Sequence, residues 1–335
     1  MKVLIIRFSS IGDIVLTTPV IRCLKKQLPD VEVHYLTKAG FRAVLEANPY
    51  IDKLHYLDED LPQVITQLQA EQFDYVIDLH HNLRTLRVKK ALAKKSFSFN
   101  KLNIQKWIYT SLKVNVLPKV HIVDRYMETV QSLGVKNDGR GLDYFIPEKD
   151  RVKESDIPAG HLAGYIGVVI GAAHNTKKLP VHKLQELCKT LDYPIILLGG
   201  KEDRPNGELI AGVDPYKIYN ACGKFNLNES ADLVRRAKGI ITHDTGLMHV
   251  ASAFKKPIIS IWGNTVPQFG MYPYYGNTMP QPGNNALPYD IMEVRPLYCR
   301  PCSKIGYDKC PLGHFKCMEK ISITAIIDKV HQRIK

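Results

Sequence analysis

Apolar residues arrive along this chain in short unbroken bursts, each followed by a turn and then by a stretch with helical spacing. Residues 2–8 read as a buried strand and 9–12 as a turn. Residues 13–28 read as a helix with apolar positions Ile14, Leu16, Val20, Ile21, Leu24 and Leu28. Pro19 falls inside that pattern and is expected to kink it. Short strands follow at 31–37 and 54–57, with a helix at 39–46 between them, then a helix at 61–71 and a strand at 75–79. Strands alternating with helices give a parallel sheet with helices on both faces.

The pattern restarts after a polar, irregular stretch near 147–160, read here as a linker. A strand at 165–171 leads to a helix at 181–191 and a strand at 194–198 that ends in Gly199-Gly200. The next helix starts near Asn228, whose side chain can cap it ahead of Glu229, and runs to 237. A strand at 239–243, a helix at 246–254 and a strand at 257–262 complete the second set. Residues 263–296, rich in Pro, Gly, Asn and Tyr, read as a long functional loop, and a last helix spans 323–334. The expectation is an α/β chain of two open domains, 1–155 and 156–335, with ligands beyond the carboxyl ends of the strands.

Composition narrows the class. A chain of 335 residues suits two domains. A hydrophobic share of 45% and a charged share of 24% exclude disorder. No apolar run reaches the roughly eighteen residues of a membrane span. The opening apolar run, about five residues before Arg7, is too short for a signal peptide, so a cytoplasmic protein is expected. Seven cysteines without an export signal argue against a disulfide framework.

The net charge of +13 matters mostly for its placement. Between Asp78 and Asp124 no acidic residue occurs, while Arg84, Arg87, Lys89, Lys90, Lys94, Lys95, Lys101, Lys106, Lys113 and Lys119 do. Such a field attracts phosphates, nucleic acid or an anionic membrane surface. The plainer alternative, a solvated lysine-rich face, usually mixes signs. Phe97, Phe99, Trp107 and Tyr109 lie among these lysines, a mixture suited to a membrane interface.

Four motifs sit at the carboxyl ends of expected strands. Ser9-Ser10-Ile11-Gly12-Asp13 follows the first strand; with its single glycine it is not a dinucleotide fingerprint, which argues against a dehydrogenase. Asp13 there is either functional or a helix-start carboxylate favoured by the dipole. In His243-Asp244-Thr245-Gly246-Leu247-Met248-His249, the amides of Thr245, Gly246 and Leu247 are unpaired donors of a helix start, ready for phosphate. Asp244 can accept hydrogen bonds from sugar hydroxyls, or serve simply as a cap. Lys177-Lys178-Leu179-Pro180 offers a point charge for a leaving diphosphate. Gly199-Gly200-Lys201-Glu202-Asp203 suits close approach of a nucleoside, with a carboxylate on the ribose.

With these residues in view, the chain resembles glycosyltransferase family 9, the ADP-heptose:lipopolysaccharide heptosyltransferases, over nearly its whole length. The resemblance rests on FSSIGDIVLTTPVI, FDYVIDLHHNLRT, KKLP and HDTGLMHVASAFKKPIISIWG, in that order. Two departures are His80-His81, where relatives often carry a glycine, and Leu179, where they often carry tryptophan. The resemblance implies the GT-B architecture: two Rossmann-like parallel-sheet domains facing a central cleft, with the last helix crossing back to the first domain. It implies an inverting, metal-independent transfer of heptose from ADP-heptose to the inner core of lipopolysaccharide. Asp13 would be the general base and Lys177 would hold the departing diphosphate. Asp244, Thr245, Gly246, Leu247, His249, Glu202 and Asp203 would bind the donor, and Ser10, Gly12, Arg84 and Arg87 the acceptor. The partners implied are a nucleotide-sugar donor and a lipid-linked anionic saccharide. The protein would be a monomer at the inner face of the inner membrane, touching it peripherally and binding no nucleic acid.

Cys299, Cys302, Cys310 and Cys317 crowd one stretch. One CxxC favours zinc, but the second pair lacks that spacing, so free or redox-sensitive thiols are the main expectation and structural zinc the alternative. Two other readings stay open at this point. A basic nucleic-acid-binding protein explains the charge but leaves Asp13, Lys177 and Asp244 without purpose. Another GT-B enzyme, with a different donor or an epimerase activity, fits the same motifs.

Overall fold

The computed structural model describes residues 1–57, 60–277 and 288–334. Two compact units emerge: Met1–Lys101 with Val120–Phe145, and Leu102–Lys119 with Ile146–Lys335. The expected boundary at 155/156 thus falls earlier, and a segment inside the basic window groups with the second unit.

In the first unit, β1 (Lys2–Ile6), β2 (Glu32–Thr37), β3 (Lys53–Tyr56), β4 (Tyr75–Asp78) and β5 (Lys95–Ser98) form one parallel sheet in the order β3-β2-β1-β4-β5. Central β1 is covered on both faces, so it is apolar throughout rather than alternating. On one face Leu4, Ile6 and Phe8 pack with Leu36, Val64, Leu68, Val76 and Val88.

The single helix expected at 13–28 is two, α1 (Ile11–Val15) and α2 (Thr18–Gln27). Pro19 lies in the first turn of α2, where its missing N–H costs nothing. The hydroxyls of Thr17 and Thr18 take up the carbonyls of Ile14 and Val15 at the break. The segment read as a helix at 39–46 is a 3₁₀ helix, Ala39–Val44. Helix α3 (Leu61–Ala70) matches its expected span closely.

The basic window folds as α4 (Leu83–Leu92), β5 and α5 (Asn103–Leu112), followed by α6 (Ile122–Met127). Asn82 starts α4, its side chain accepting from the Thr85 amide at 2.9 Å. His81 has φ +51°, a left-handed conformation that favours glycine. Its amide donates to Asp78 Oδ1 at 2.6 Å and its ring lies 3.0 Å from the Phe99 carbonyl, which hold it there.

The second unit holds a parallel sheet ordered β11-β10-β9-β6-β7-β8. Its strands are β6 (Ile166–Val169), β7 (Ile195–Leu198), β8 (Ile218–Asn220), β9 (Gly239–His243), β10 (Ile258–Trp262) and β11 (Tyr289–Glu293). Its helices are α7 (Val181–Thr190), α8 (Arg204–Ala211), α9 (Leu227–Arg236), α10 (Gly246–Ala253), α11 (Lys316–Glu319) and α12 (Ile323–Arg333). Asn226, not Asn228, caps α9: it accepts from the Glu229 amide while Glu229 accepts from the Asn226 amide. Asn228 instead donates to Asp150. The stretch 263–296 is not loop throughout, because β11 adds to the sheet edge beside β10; its residues 278–287 lie outside the described residues. The expected linker contains short 3₁₀ turns at Glu148–Asp150, Glu154–Asp156 and Ala159–His161.

Helix α12, expected to cross back to the first domain, buries Ile323, Ile326, Ile327 and Val330 in the core of the second unit. Leu179 is in that same core. Among the described residues no helix is long and apolar enough to cross a membrane.

Candidate functional site

Topology explains why residues far apart in sequence meet in the second unit. β6 lies between β9 and β7, and all three are parallel, so the loops after them leave the same edge of the sheet. The loop after β6 carries Lys177 and Lys178, the one after β9 carries Asp244, and the one after β7 carries Asp203. The β6–β9 boundary is a topological switch point, where ligands of open α/β sheets bind.

Lys177 Nζ stands 2.7 Å from Asp244 Oδ2 and 3.3 Å from the Asp244 carbonyl. Thr265 Oγ1, from the loop after β10, donates to the same Oδ2 at 3.0 Å. Among the described residues Oδ1 of Asp244 makes no such bond, and that oxygen can accept from a ligand hydroxyl. Thr245 is the extended residue before α10, and Thr245, Gly246 and Leu247 are half-buried, so the amides of its first turn are reachable. His249, expected in the donor site, is instead 2% exposed and faces inward from the helix.

The loop carrying Lys177 is fixed from below. The Leu179 amide donates to Nε2 of His243 at 2.9 Å, which requires that nitrogen unprotonated. Burial, with Lys178 nearby, lowers the His243 pKa to about 4, so the ring is neutral and accepts.

Glu202 and Asp203 part company. Asp203 is buried, with Oδ1 on Lys178 at 2.7 Å and Oδ2 accepting the Gly200 amide at 3.0 Å. It fastens two loops and is not offered to a ligand. Gly171 and Gly199 let these loops close: a Cβ on Gly171 would lie 2.3 Å from Asp203 Oδ2. Glu202 is exposed in the same turn.

In the first unit Asp13 sits in the first turn of α1, at the switch point between β1 and β4. Its Oδ2 accepts from Ser10 Oγ at 2.8 Å and from the Ser10 amide at 3.2 Å. Arg7 Nη2 lies 2.7 Å from Oδ1. A five-residue helix has little dipole, so the nearer charge facing Asp13 is the Arg7 guanidinium rather than the end of α1. Arg7 is itself held by the Ser9 and Leu79 carbonyls and by Tyr126. Burial disfavours its charge, yet Asp13 and neighbouring tyrosines outweigh that and raise its pKa. The sequence reading passed over Arg7; the available signal was a lone cation at the end of an apolar strand. It also passed over Thr265, which no local pattern marks.

Gly12 is buried in α1, and Ser10 is committed to Asp13. Arg84 and Arg87 stand exposed on α4, their guanidinium groups making no ion pair among the described residues. Of the aromatics in the basic window, Phe99 is buried against Tyr126 and Tyr109 packs on Phe269; Trp107 is 55% exposed.

Cys299, Cys302 and Cys310 lie in a loop stitched to the turn after β10, and Cys317 lies in α11: the Cys302 amide donates to the Asn264 carbonyl, and Arg300 donates to the Thr265 carbonyl. Cys299 Sγ is 3.9 Å from His314 Nε2, while Cys317 is buried and its thiol pushed up to about 12 by burial and by Cys302. Among the described residues the one trio at metal-ligand spacing is elsewhere: His34, His55 and Glu71. Glu71 there is already paired with Lys2 and Lys53, and the two rings face each other at 3.0 Å.

Residues 62–281 match the model of glycosyltransferase family 9 (heptosyltransferase). Lipopolysaccharide heptosyltransferase 1 of Campylobacter coli is 26% identical over 296 residues, covering 79% of this chain and 84% of that protein. Lipooligosaccharide heptosyltransferase 2 of Haemophilus influenzae is 24% identical over 302 residues, covering 80% and 85%. Among solved structures, a family 9 glycosyl transferase of Veillonella parvula superposes with a TM-score of 0.79 at 23% identity, covering 99% of this chain and 96% of its own. An E. coli heptosyltransferase solved with ADP gives 0.69 at 19%, covering 99% and 100%.

Proposed function

This chain belongs to glycosyltransferase family 9 and is a glycosyltransferase of GT-B architecture; on that premise we propose that it moves heptose from ADP-heptose to the anionic inner core of lipopolysaccharide. The observation that carries the reading is the convergence of Lys177, the Asp244 carboxylate and the amides of Thr245–Leu247 at one strand edge. A cation and helix-start amides suit a diphosphate, and a carboxylate beside them suits a sugar hydroxyl. The relatives named for heptosyl transfer, and the one solved with ADP, favour this donor over other nucleotide sugars.

In the proposed reaction Asp13 accepts the proton of the acceptor hydroxyl as its oxygen bonds to the anomeric carbon. The bond to the diphosphate breaks, and ADP departs with the electron pair. A carboxylate such as Asp13, paired with Arg7, is a weak base, which serves when proton transfer is late. Lys177 and the amides stabilise the charge on ADP, so we assign no metal to this step. Asp244 orients the sugar, Glu202 the ribose, and Arg84 and Arg87 the acceptor's phosphates and carboxylates. A lipid-linked acceptor would place the reaction at the cytoplasmic face of the inner membrane, and we take the protein to act there as a monomer. The four cysteines we assign as free thiols; zinc above about a tenth of an equivalent, in protein purified without chelators, would overturn that.

The test is isothermal titration with ADP, UDP and GDP, followed by product analysis with ADP-heptose and a lipopolysaccharide precursor. Preferred binding of ADP and a heptosylated product are expected. Preference for UDP or GDP would reassign the donor.

A further inference from the structure

Helix α5 is built the wrong way round for a globular protein. Its residues Ile104, Trp107, Ile108, Ser111 and Leu112 recur at helical spacing and form one face. That apolar face points outward: Ile104 is 73% exposed, Trp107 55% and Leu112 62%, and no residue of the helix is fully buried. The other face meets the protein. Tyr109 packs edge-on against Phe269, and the Lys106 ammonium lies 5.9 Å from the same ring. The chain beyond the helix continues the trend, with Val114 and Val116 exposed.

We infer that the outward face of α5 is a membrane-seating element that lays Ile104, Trp107 and Leu112 into the headgroup boundary of an anionic bilayer. The inference rests on, and deepens, the peripheral attachment proposed above. A ten-residue helix spans about 15 Å, far short of a crossing, so it lies in the plane of the surface. Trp107 is the residue type that favours that depth. The flanks decide the partner's charge. Lys113 and Lys119 follow the apolar face, and no carboxylate occurs in the chain from 79 to 123. Among the described residues Lys113 is anchored on the carbonyls of Thr110 and Pro301 and pairs with no carboxylate. Lysines around an apolar stripe with no acid between them match an anionic lipid surface. The face does not contain the proposed donor or base residues, so seating and chemistry are separable.

The experiment uses the full chain and vesicles of phosphatidylcholine alone or with phosphatidylglycerol. Trp107 and the buried Trp262 are the two tryptophans, so any emission change on adding lipid reports Trp107. Expected are a blue shift, quenching by brominated lipid, and co-sedimentation with the anionic vesicles that weakens in salt. Ile104→Ser/Leu112→Ser should lower retention about tenfold or more, with unchanged circular dichroism and unchanged turnover on a delipidated, soluble acceptor. Lys113→Gln/Lys119→Gln should remove most of the salt-sensitive part. Unshifted emission, equal retention on neutral vesicles, or a lipid-free dimer dissolved by the Ile104/Leu112 variant would each overturn the assignment. Absent turnover by the native protein on the soluble acceptor would instead count against the proposed reaction, leaving the vesicle result to stand alone.

Discussion

Lys177 and Asp244 are 67 residues apart in the chain, yet their ammonium and carboxylate meet at 2.7 Å. The pair is at once a resting state and a latent one. In the proposed reaction a bound diphosphate would give Lys177 a second anion, and the sugar would give Asp244 hydroxyls to hold. Lys177→Ala is expected to weaken ADP binding and turnover together, with turnover falling about a hundredfold. Calorimetry and initial rates check this; unchanged ADP affinity would remove Lys177 from the diphosphate site.

Asp13→Asn preserves size and the contact to Ser10 but cannot take a proton. Transfer is expected to fall by about a thousandfold or more while ADP binds normally. Near-native turnover in this variant would end the base assignment. Arg7→Met should also impair transfer, measured as initial rates, because Asp13 would lose the guanidinium that faces its Oδ1.

Thr265 donates to the same Asp244 oxygen that Lys177 contacts, and Arg300 holds the Thr265 carbonyl at 2.9 Å. Thr265→Val removes one hydrogen bond to a charged group at nearly constant volume. A loss of about tenfold in kcat/KM for the donor sugar is expected, with ADP affinity little changed. Equal losses for ADP and the sugar nucleotide would show that Thr265 supports the whole loop instead.

Acid should unseat the donor half through His243. Its folded pKa of about 4 lies below its ordinary 6.5, so between those values the unfolded chain binds a proton that the native one does not. Stability from this group is therefore complete above about 6.5 and lost as pH falls toward 4, on the order of 3 kcal/mol in total. Protonation also ends the bond from the Leu179 amide, releasing the loop that bears Lys177. ADP affinity should fall with thermal stability over that range, and His243→Gln should flatten both profiles. Parallel profiles in native protein and variant would contradict it.

Chelation offers a separate check. Because Lys177 and backbone amides carry the diphosphate's charge in this reading, turnover is expected to survive prolonged EDTA treatment within about twofold. Loss restored by a divalent ion would require a metal in the mechanism.

Much of this was legible in the chain. The strand bursts gave both parallel sheets, because doubly covered strands must be apolar throughout, and glycine and acid-bearing turns marked their carboxyl ends. The motifs at 9–13, 177–180 and 243–249 marked the turns to which the proposed chemistry is assigned. What sequence could not give was adjacency. β9 lies beside β6 although β7 and β8 come between them in the chain, so only strand order brings Asp244 to Lys177 and sends Asp203 to Lys178. Nor could it separate Glu202 from Asp203, two neighbouring acids of which one is buried as a brace and the other left exposed. The helical spacing of α5 was likewise present in the residues. Periodicity defines an apolar face without saying where it points; only the packing of Tyr109 on Phe269 turned that face outward.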